Sequence, residues 1–274
     1  MRFLFNSIYA AVRPMAHLIY NKLSAVMYFV TGENKRNLKK LEQLRNTYAG
    51  KRCFLICNGP SLRTEDLTKI HENGDCSIAM NAIARVFDKT PWRPTFLSLT
   101  DDIAYTKKNK ELCRTCESAY KLYDRNRYLR TLNHVGERLY LEFDESLNLL
   151  DQPVFTPDAT RLLPSIGTSA YACLEFAVFL GFCEIYILGC DMAYAVNISR
   201  DGRIYYNDSG KEHFYDAKDE DLKTTKVAPI QTWQLEIAFD TAAKYAKEND
   251  ILICNATRGG MLESFPRVAF DDLF

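Results

Sequence analysis

Between residues 50 and 256 the chain repeats one pattern: a short, almost unbroken apolar run, a polar break, then a longer stretch with apolar residues at helical spacing. Apolar runs without alternation suit strands that are covered on both faces. They predict strands over 52–57, Cys76–Asn81, Thr95–Thr100, Arg138–Phe143, Glu184–Gly189 and Ile251–Asn255. Helical patterns separate several of them. Glu33–Tyr48 sets Leu38, Leu41 and Leu44 among Lys, Arg and Glu, Ser169–Leu180 is apolar and stops at Gly181, and Gln231–Glu248 supplies a further helix. Strands alternating with helices make βαβ units, so the expected fold is α/β, an open and mainly parallel sheet with helices on both faces.

Three stretches depart from this pattern. Residues 1–32 form an amphipathic N-terminal segment in which Arg2, Arg13, His17 and Lys22 interrupt an aromatic-rich run. No stretch of about 18 unbroken apolar residues is present to span a membrane, and the spread of charge does not suit a signal peptide. The segment is expected either to lie on an anionic membrane surface or to pack as a helix on its own domain or on another subunit. Residues 33–274 read as a single domain, in which the polar stretch at about 192–229, rich in Tyr, Asp, Lys and Gly, is expected to be a functional lid. Lys107–Lys121 is polar with helical character and holds Cys113-x-x-Cys116, but no second Cys or His pair accompanies it, so no metal site is expected.

Composition narrows the partners. The 274 residues are 47% hydrophobic, enough for one sizeable core, and 35 basic residues balance 35 acidic ones, so no field favours nucleic acid. Nine cysteines lie mostly inside apolar runs, as in a reducing, cytoplasmic compartment.

In an open α/β sheet the ligand crevice lies beyond the carboxyl ends of the strands. Polar residues collect there: Asn58, Gly59 and Ser61 after the first predicted strand, Asn81 after the second, Thr100, Asp101 and Asp102 after the third, Gly189 and Asp191, and Asn255 with Thr257. Thr168 and Ser169 precede the apolar helix, where hydroxyls and free N–H groups can cap the helix or hold a phosphate. Gly59 lets backbone approach a ligand, and Pro60 with Ser61 is expected to open a helix. No G-x-S-x-G elbow, P-loop or G-x-G-x-x-G follows any strand, which removes the hydrolase, ordinary ATPase and dinucleotide readings. Within the lid, His213 is the candidate general base, with a reference pKa of ~6.5, and Tyr194, Tyr205, Tyr206 and Tyr215 are candidate donors to a phosphate.

Asn58-Gly59-Pro60-Ser61-Leu62, Asn81, Thr168-Ser169 and Glu184-Ile-Tyr-Ile-Leu-Gly189-Cys-Asp191 together resemble bacterial sialyltransferases that use CMP-activated sialic acid. The same order, with Asn255-Ala-Thr-Arg-Gly-Gly260-Met-Leu-Glu-Ser-Phe265, is similar to the MptE-like group, after a 6-hydroxymethylpterin diphosphokinase, many of whose bacterial members are associated with polysaccharide and lipopolysaccharide synthesis. The resemblance covers about residues 50–274 and implies a Rossmann-like domain. It also implies that Asn58, Gly59 and Asn81 contact a nucleotide, Thr168 and Ser169 its ribose or phosphate, and Gly189 with Asp191 the floor. His213 would be the base, although the sialyltransferases carry two histidines in this neighbourhood, and here Met192 and Ala193 separate Asp191 from Tyr194.

The expected function is transfer of a sugar from a nucleotide-activated donor, a CMP-activated acidic one, to a hydroxyl of a surface glycan or lipid-linked glycan. No cofactor is expected, and the site is cytoplasmic, with residues 1–30 as a contact to the inner face of the membrane. Two alternatives stand beside it. One is a diphosphokinase moving pyrophosphate from ATP to a pterin alcohol, with Mg²⁺ on Asp101, Asp102 and Asp191. The other is a catalytically silent nucleotide-binding subunit.

Overall fold

The structure is a computed structural model that describes residues 16, 18–144, 152–192, 194, 196–198, 201–206, 213–214 and 232–274. Its ten strands are β1 (Arg52–Ile56), β2 (Cys76–Met80), β3 (Phe96–Leu99), β4 (Tyr120–Asp124), β5 (Glu137–Asp144), β6 (Leu162–Pro164), β7 (Glu184–Leu188), β8 (Val196–Ile198), β9 (Ile204–Tyr206) and β10 (Leu252–Asn255). Eight of them form one sheet in the order β10-β7-β1-β2-β3-β4-β5-β6, and every pairing in it is parallel. This is the expected α/β, Rossmann-like architecture.

The unbroken apolar runs are explained by the two faces of that sheet. Cys53, Leu55 and Cys57 face one buried cluster while Phe54 and Ile56 face the other, and in β7 Ile185 and Ile187 oppose Tyr186 and Leu188 in the same way. Helices α1 (residues 18–30), α2 (Glu33–Leu44), α3 (Thr64–Glu72), α4 (Lys107–Thr115), α5 (Tyr128–Thr131), α6 (Ser169–Phe179) and α7 (Thr232–Glu248) complete the layers. On one face of the sheet α6 and α7 bring Tyr171, Phe176, Leu235 and Phe239, and on the other α3 and α4 bring Leu67, Ile70 and Cys113.

All six predicted strands are present, with two more, β4 and β6, in the same sheet and a separate hairpin of β8 and β9. β4 overlaps the end of the stretch read as helical, and its second residue is Lys121. That side chain is fully buried, and its Nζ donates to the Cys113 and Arg114 carbonyls at the end of α4, 3.1 and 3.2 Å away. A buried ammonium on terminal helix carbonyls is invisible to a hydropathy pattern. β6 is three residues long and too short to show a period. Pro60 and Ser61 do not start a helix: they form a turn closed by Leu62 N donating to Gly59 O (3.2 Å), and α3 begins at Thr64. The stretch expected to be structureless carries an antiparallel hairpin, β8 with β9. The rest of that stretch except 192, 194, 201–203 and 213–214 lies outside the described residues, as do Tyr215 and residues 1–15.

α1 packs on the domain by one side. Tyr28 is buried in edge contact with Tyr128 and Tyr140, Leu129 N donates to Ser24 Oγ (3.0 Å), and Thr31 Oγ1 donates to Tyr128 Oη (3.2 Å).

Candidate functional site

The strand order changes direction at one place. From β1 the chain builds outward through β2 to β6, then returns to place β7 and β10 on the opposite side, so the switch falls between β1 and β7. In open α/β sheets such a point is where a ligand site forms beyond the carboxyl ends, between the two departing loops. Here those loops carry Asn58, Gly59 and Ser61 on one side and Gly189 and Asp191 on the other.

Asp191 organises this corner. Its carboxylate accepts from Ser61 Oγ at 2.8 Å and from Ser61 N at 3.5 Å, while its carbonyl accepts from Met261 N at 2.9 Å. It is 8% exposed, and burial raises its pKa above the ordinary aspartate value against the lowering effect of the Ser61 bonds. Two glycines, Gly59 and Gly260, make room for it. A Cβ on Gly59 would lie 1.8 Å from Asp191 Oδ2 and 2.5 Å from the Gly189 carbonyl oxygen, and one on Gly260 would lie 2.9 Å from Asp191 Cα. Gly189 itself sits at φ +69°, as does Gly260 at +74°, in the region that favours glycine. The close approach at Gly59 is therefore made by the protein's own carboxylate and backbone. Thr257 Oγ1 accepts from Cys190 N (3.1 Å) and joins the β10 loop to the same corner.

A second polar row runs from β1 toward β3. Asn81, at φ +52°, donates from Nδ2 to Ser169 Oγ (3.1 Å) and accepts at Oδ1 from Asp101 N (3.4 Å). Thr100 Oγ1 donates to Ser169 Oγ (3.3 Å) and shares a contact with Ser98 Oγ. Thr168 is the N-cap of α6, its Oγ1 accepting from Ala170 N (3.3 Å). Asn58 donates from Nδ2 to Met80 O (3.0 Å), but its Oδ1 is buried with no hydrogen-bond partner. Among the described residues this leaves an amide oxygen as an unmet acceptor beside the converging polar groups.

Residues 213–214 reach this row. Phe214 N donates to Asn58 O at 2.9 Å and its ring packs against the α3 and α4 side of the core, so His213, half-buried, stands next to the carboxyl end of β1. Sequence reasoning passed over Phe214 because its contribution is a backbone N–H. Tyr194 is half-buried against the α6 and α7 side, and its carbonyl accepts from Asn197 Nδ2 (2.8 Å). Tyr205 lies in β9, its side chain outside the described residues, and Tyr206 is 73% exposed.

The carboxylates proposed for a metal have separate partners. Asp101 Oδ1 caps the turn that follows β3 by accepting from Ile103 N (2.9 Å), Asp102 engages Arg127, and Asp191 engages Ser61. Among the described residues no three His, Cys, Asp or Glu side chains are grouped to hold a metal ion. His134 is removed from the chemistry: it is buried against Tyr123 Oη (2.9 Å to Nδ1), and burial with nearby cations lowers its pKa to about 4. Cavities of about 690 and 550 Å³ lie elsewhere, the first beside Lys51, Tyr120 and Glu137 at the amino ends of the strands, the second beside Arg85, Arg93 and Cys116. Neither includes a residue of the crevice, which is defined by topology and converging polar groups.

Residues 31–197 match the profile of the family described as 6-hydroxymethylpterin diphosphokinase MptE-like. A search of curated proteins gives no match. Among solved structures, the MAf glycosyltransferase from Magnetospirillum magneticum AMB-1 is similar over 88% of this chain and 39% of its own length, with a TM-score of 0.51 and 15% identity. At that identity the likeness is one of fold, and the chain spans about two-fifths of that protein.

Proposed function

The chain belongs to the 6-hydroxymethylpterin diphosphokinase MptE-like family, and from that premise we propose that its switch-point crevice binds a nucleotide-activated sugar and that the protein is a glycosyltransferase. The observation that carries this reading is the bond from Phe214 N to Asn58 O, which brings His213 of the lid to the strand end where Asn58 offers its unpartnered oxygen. The fold shared with a glycosyltransferase supports it. The finer assignment is sialyltransferase-like: the donor is a CMP-activated acidic sugar and the acceptor a hydroxyl of a surface glycan. Asn58 Oδ1 accepts from the nucleotide, and the N-terminus of α6 with Ser169 takes the phosphate or ribose. His213 removes the proton from the acceptor hydroxyl, whose oxygen attacks the anomeric carbon, while the bond to phosphate breaks and CMP departs with the electron pair. Asn81 and Thr168 act at one remove, orienting Ser169 and capping the start of α6.

Thermal-shift measurements with CMP, CDP, UDP, ATP and a pterin, each with and without Mg²⁺, separate the readings. Stabilisation by CMP without metal is expected, and Asn58→Ala should weaken it about tenfold, the effect of losing one hydrogen bond. His213→Ala should retain CMP binding and lose transfer. Stabilisation by ATP only with Mg²⁺ would favour the diphosphokinase instead. That alternative keeps the family's description in its favour, but Asp101, Asp102 and Asp191 do not fit a shared cation without giving up the partners they have. Nucleotide binding with no turnover would leave a silent subunit.

A further inference from the structure

α1 presents the reverse of an ordinary surface helix. Its packed side is made by Tyr20, Asn21, Ser24, Met27 and Tyr28, two of them fully buried. Its outward side, an arc of about 140° at 100° per residue, carries Leu18, Ile19, Leu23, Val26, Phe29 and Val30, which are 47–73% exposed, with Lys22 the single polar residue among them. Contiguous exposure of this kind marks an interaction surface. Charge at its borders selects the partner. From α1 through α2 there are five basic and two acidic side chains, with Lys35, Arg36 and Lys39 exposed. Two arginines of the domain lie against the helix, Arg125 over the Phe29 ring at 5.5 Å and Arg130 over Tyr20 at 5.2 Å. Glu142 beside Arg125, Asp102 beside Arg130 and Glu33 beside Arg36 offset part of this charge but leave the α1–α2 hairpin positive.

We infer that the outward face of α1 docks on an anionic lipid surface, its apolar side chains entering the headgroup boundary and the flanking cations meeting lipid phosphates. No helix among the described residues is long and apolar enough to cross a bilayer, so α1 lies along the interface rather than through it. The helix also sits on the crevice's side of the sheet. Arg130, which covers Tyr20, lies 3.9 Å from Asp102 and 5.8 Å from the Tyr105 ring centroid, in the loop that leaves the carboxyl end of β3 beside Asp101 and Asn81.

The test is co-sedimentation of the full chain with vesicles of phosphatidylcholine alone and of phosphatidylcholine mixed with phosphatidylglycerol, beside its oligomeric state by light scattering. Binding to the mixed vesicles, weakened by salt, is expected, with a loss of tenfold or more in Leu23→Glu/Val26→Glu. Lys22→Glu should lose several-fold without touching the packed side. Circular dichroism and CMP-induced stabilisation are the folding controls, and they make the result independent of whether any transfer is detected. Absence of binding to mixed vesicles would overturn the inference, as would equal binding by the double variant. A dimer that the same double variant converts to monomer, with no vesicle binding, would assign the face to a second copy instead.

Discussion

Replacing Gly59 by alanine asks two different parts of the molecule to move. The Asp191 side chain could swing aside only by giving up Ser61 Oγ, and the Gly189 carbonyl is held by Gly59's own N–H at 2.8 Å, so it cannot retreat without breaking that bond. Gly59→Ala should therefore lower stability by about 3 kcal/mol, at the upper end of overpacking costs. The urea midpoint reads it, and an unchanged midpoint would contradict the geometry. Much of this site was legible at the level of single residues. Asn58, Asn81, Thr100, Ser169 and Asp191 stood out because each follows an apolar run or opens an apolar helix. Their division of labour was not legible: Asn58 keeps an unpartnered oxygen while Asn81 spends both ends of its amide on Ser169 and Asp101, a difference set by contacts with residues far along the chain. Gly260 has the same explanation, since its neighbour Asp191 is remote in sequence.

Among elements, strands fully covered by helices announced themselves, and the exceptions have physical causes. β4 buries a lysine near its start because α4 ends above it, and α3 starts late because the turn at Gly59 is used to meet β7. α6 holds a comparable surprise. Glu175 is fully buried in this apolar helix, where its Oε1 accepts from Thr156 N (2.7 Å) and Tyr171 Oη donates to Val154 O (3.0 Å), so the helix grips the segment leading to β6. Burial raises the Glu175 pKa from 4.5 to about 8, with the Thr156 bond opposing. The folded chain then keeps a proton that the unfolded chain releases near 4.5, so stability declines as pH rises through that window and the loss is complete above about 8. Glu175→Gln preserves the acceptor and cannot ionise. Its unfolding free energy should stay flat where the wild type falls, a difference of roughly 3–5 kcal/mol by pH 9. Parallel slopes from denaturant titrations across pH 5–9 would show that the carboxyl is not the cause.

For the whole molecule, the sheet order is what chooses the site. Polar groups end several strands, but among the described residues the strand order reverses between β1 and β7, and sequence alone does not reveal which strands are neighbours. The outward face of α1 was likewise visible only as an aromatic-rich segment until the packed side was known.

The corner around Asp191 has a consequence in time. It joins residues 59–61, 189–191 and 257–261, segments separated by well over a hundred and by about seventy positions, and so it closes long loops. Local helices have no such wait, so the corner belongs to the slow end of folding. In stopped-flow refolding the helical signal should return first and ligand-binding competence second, as separate phases. A single shared phase would mean that the corner assembles with the helices, and that the crevice is present as soon as the chain is compact.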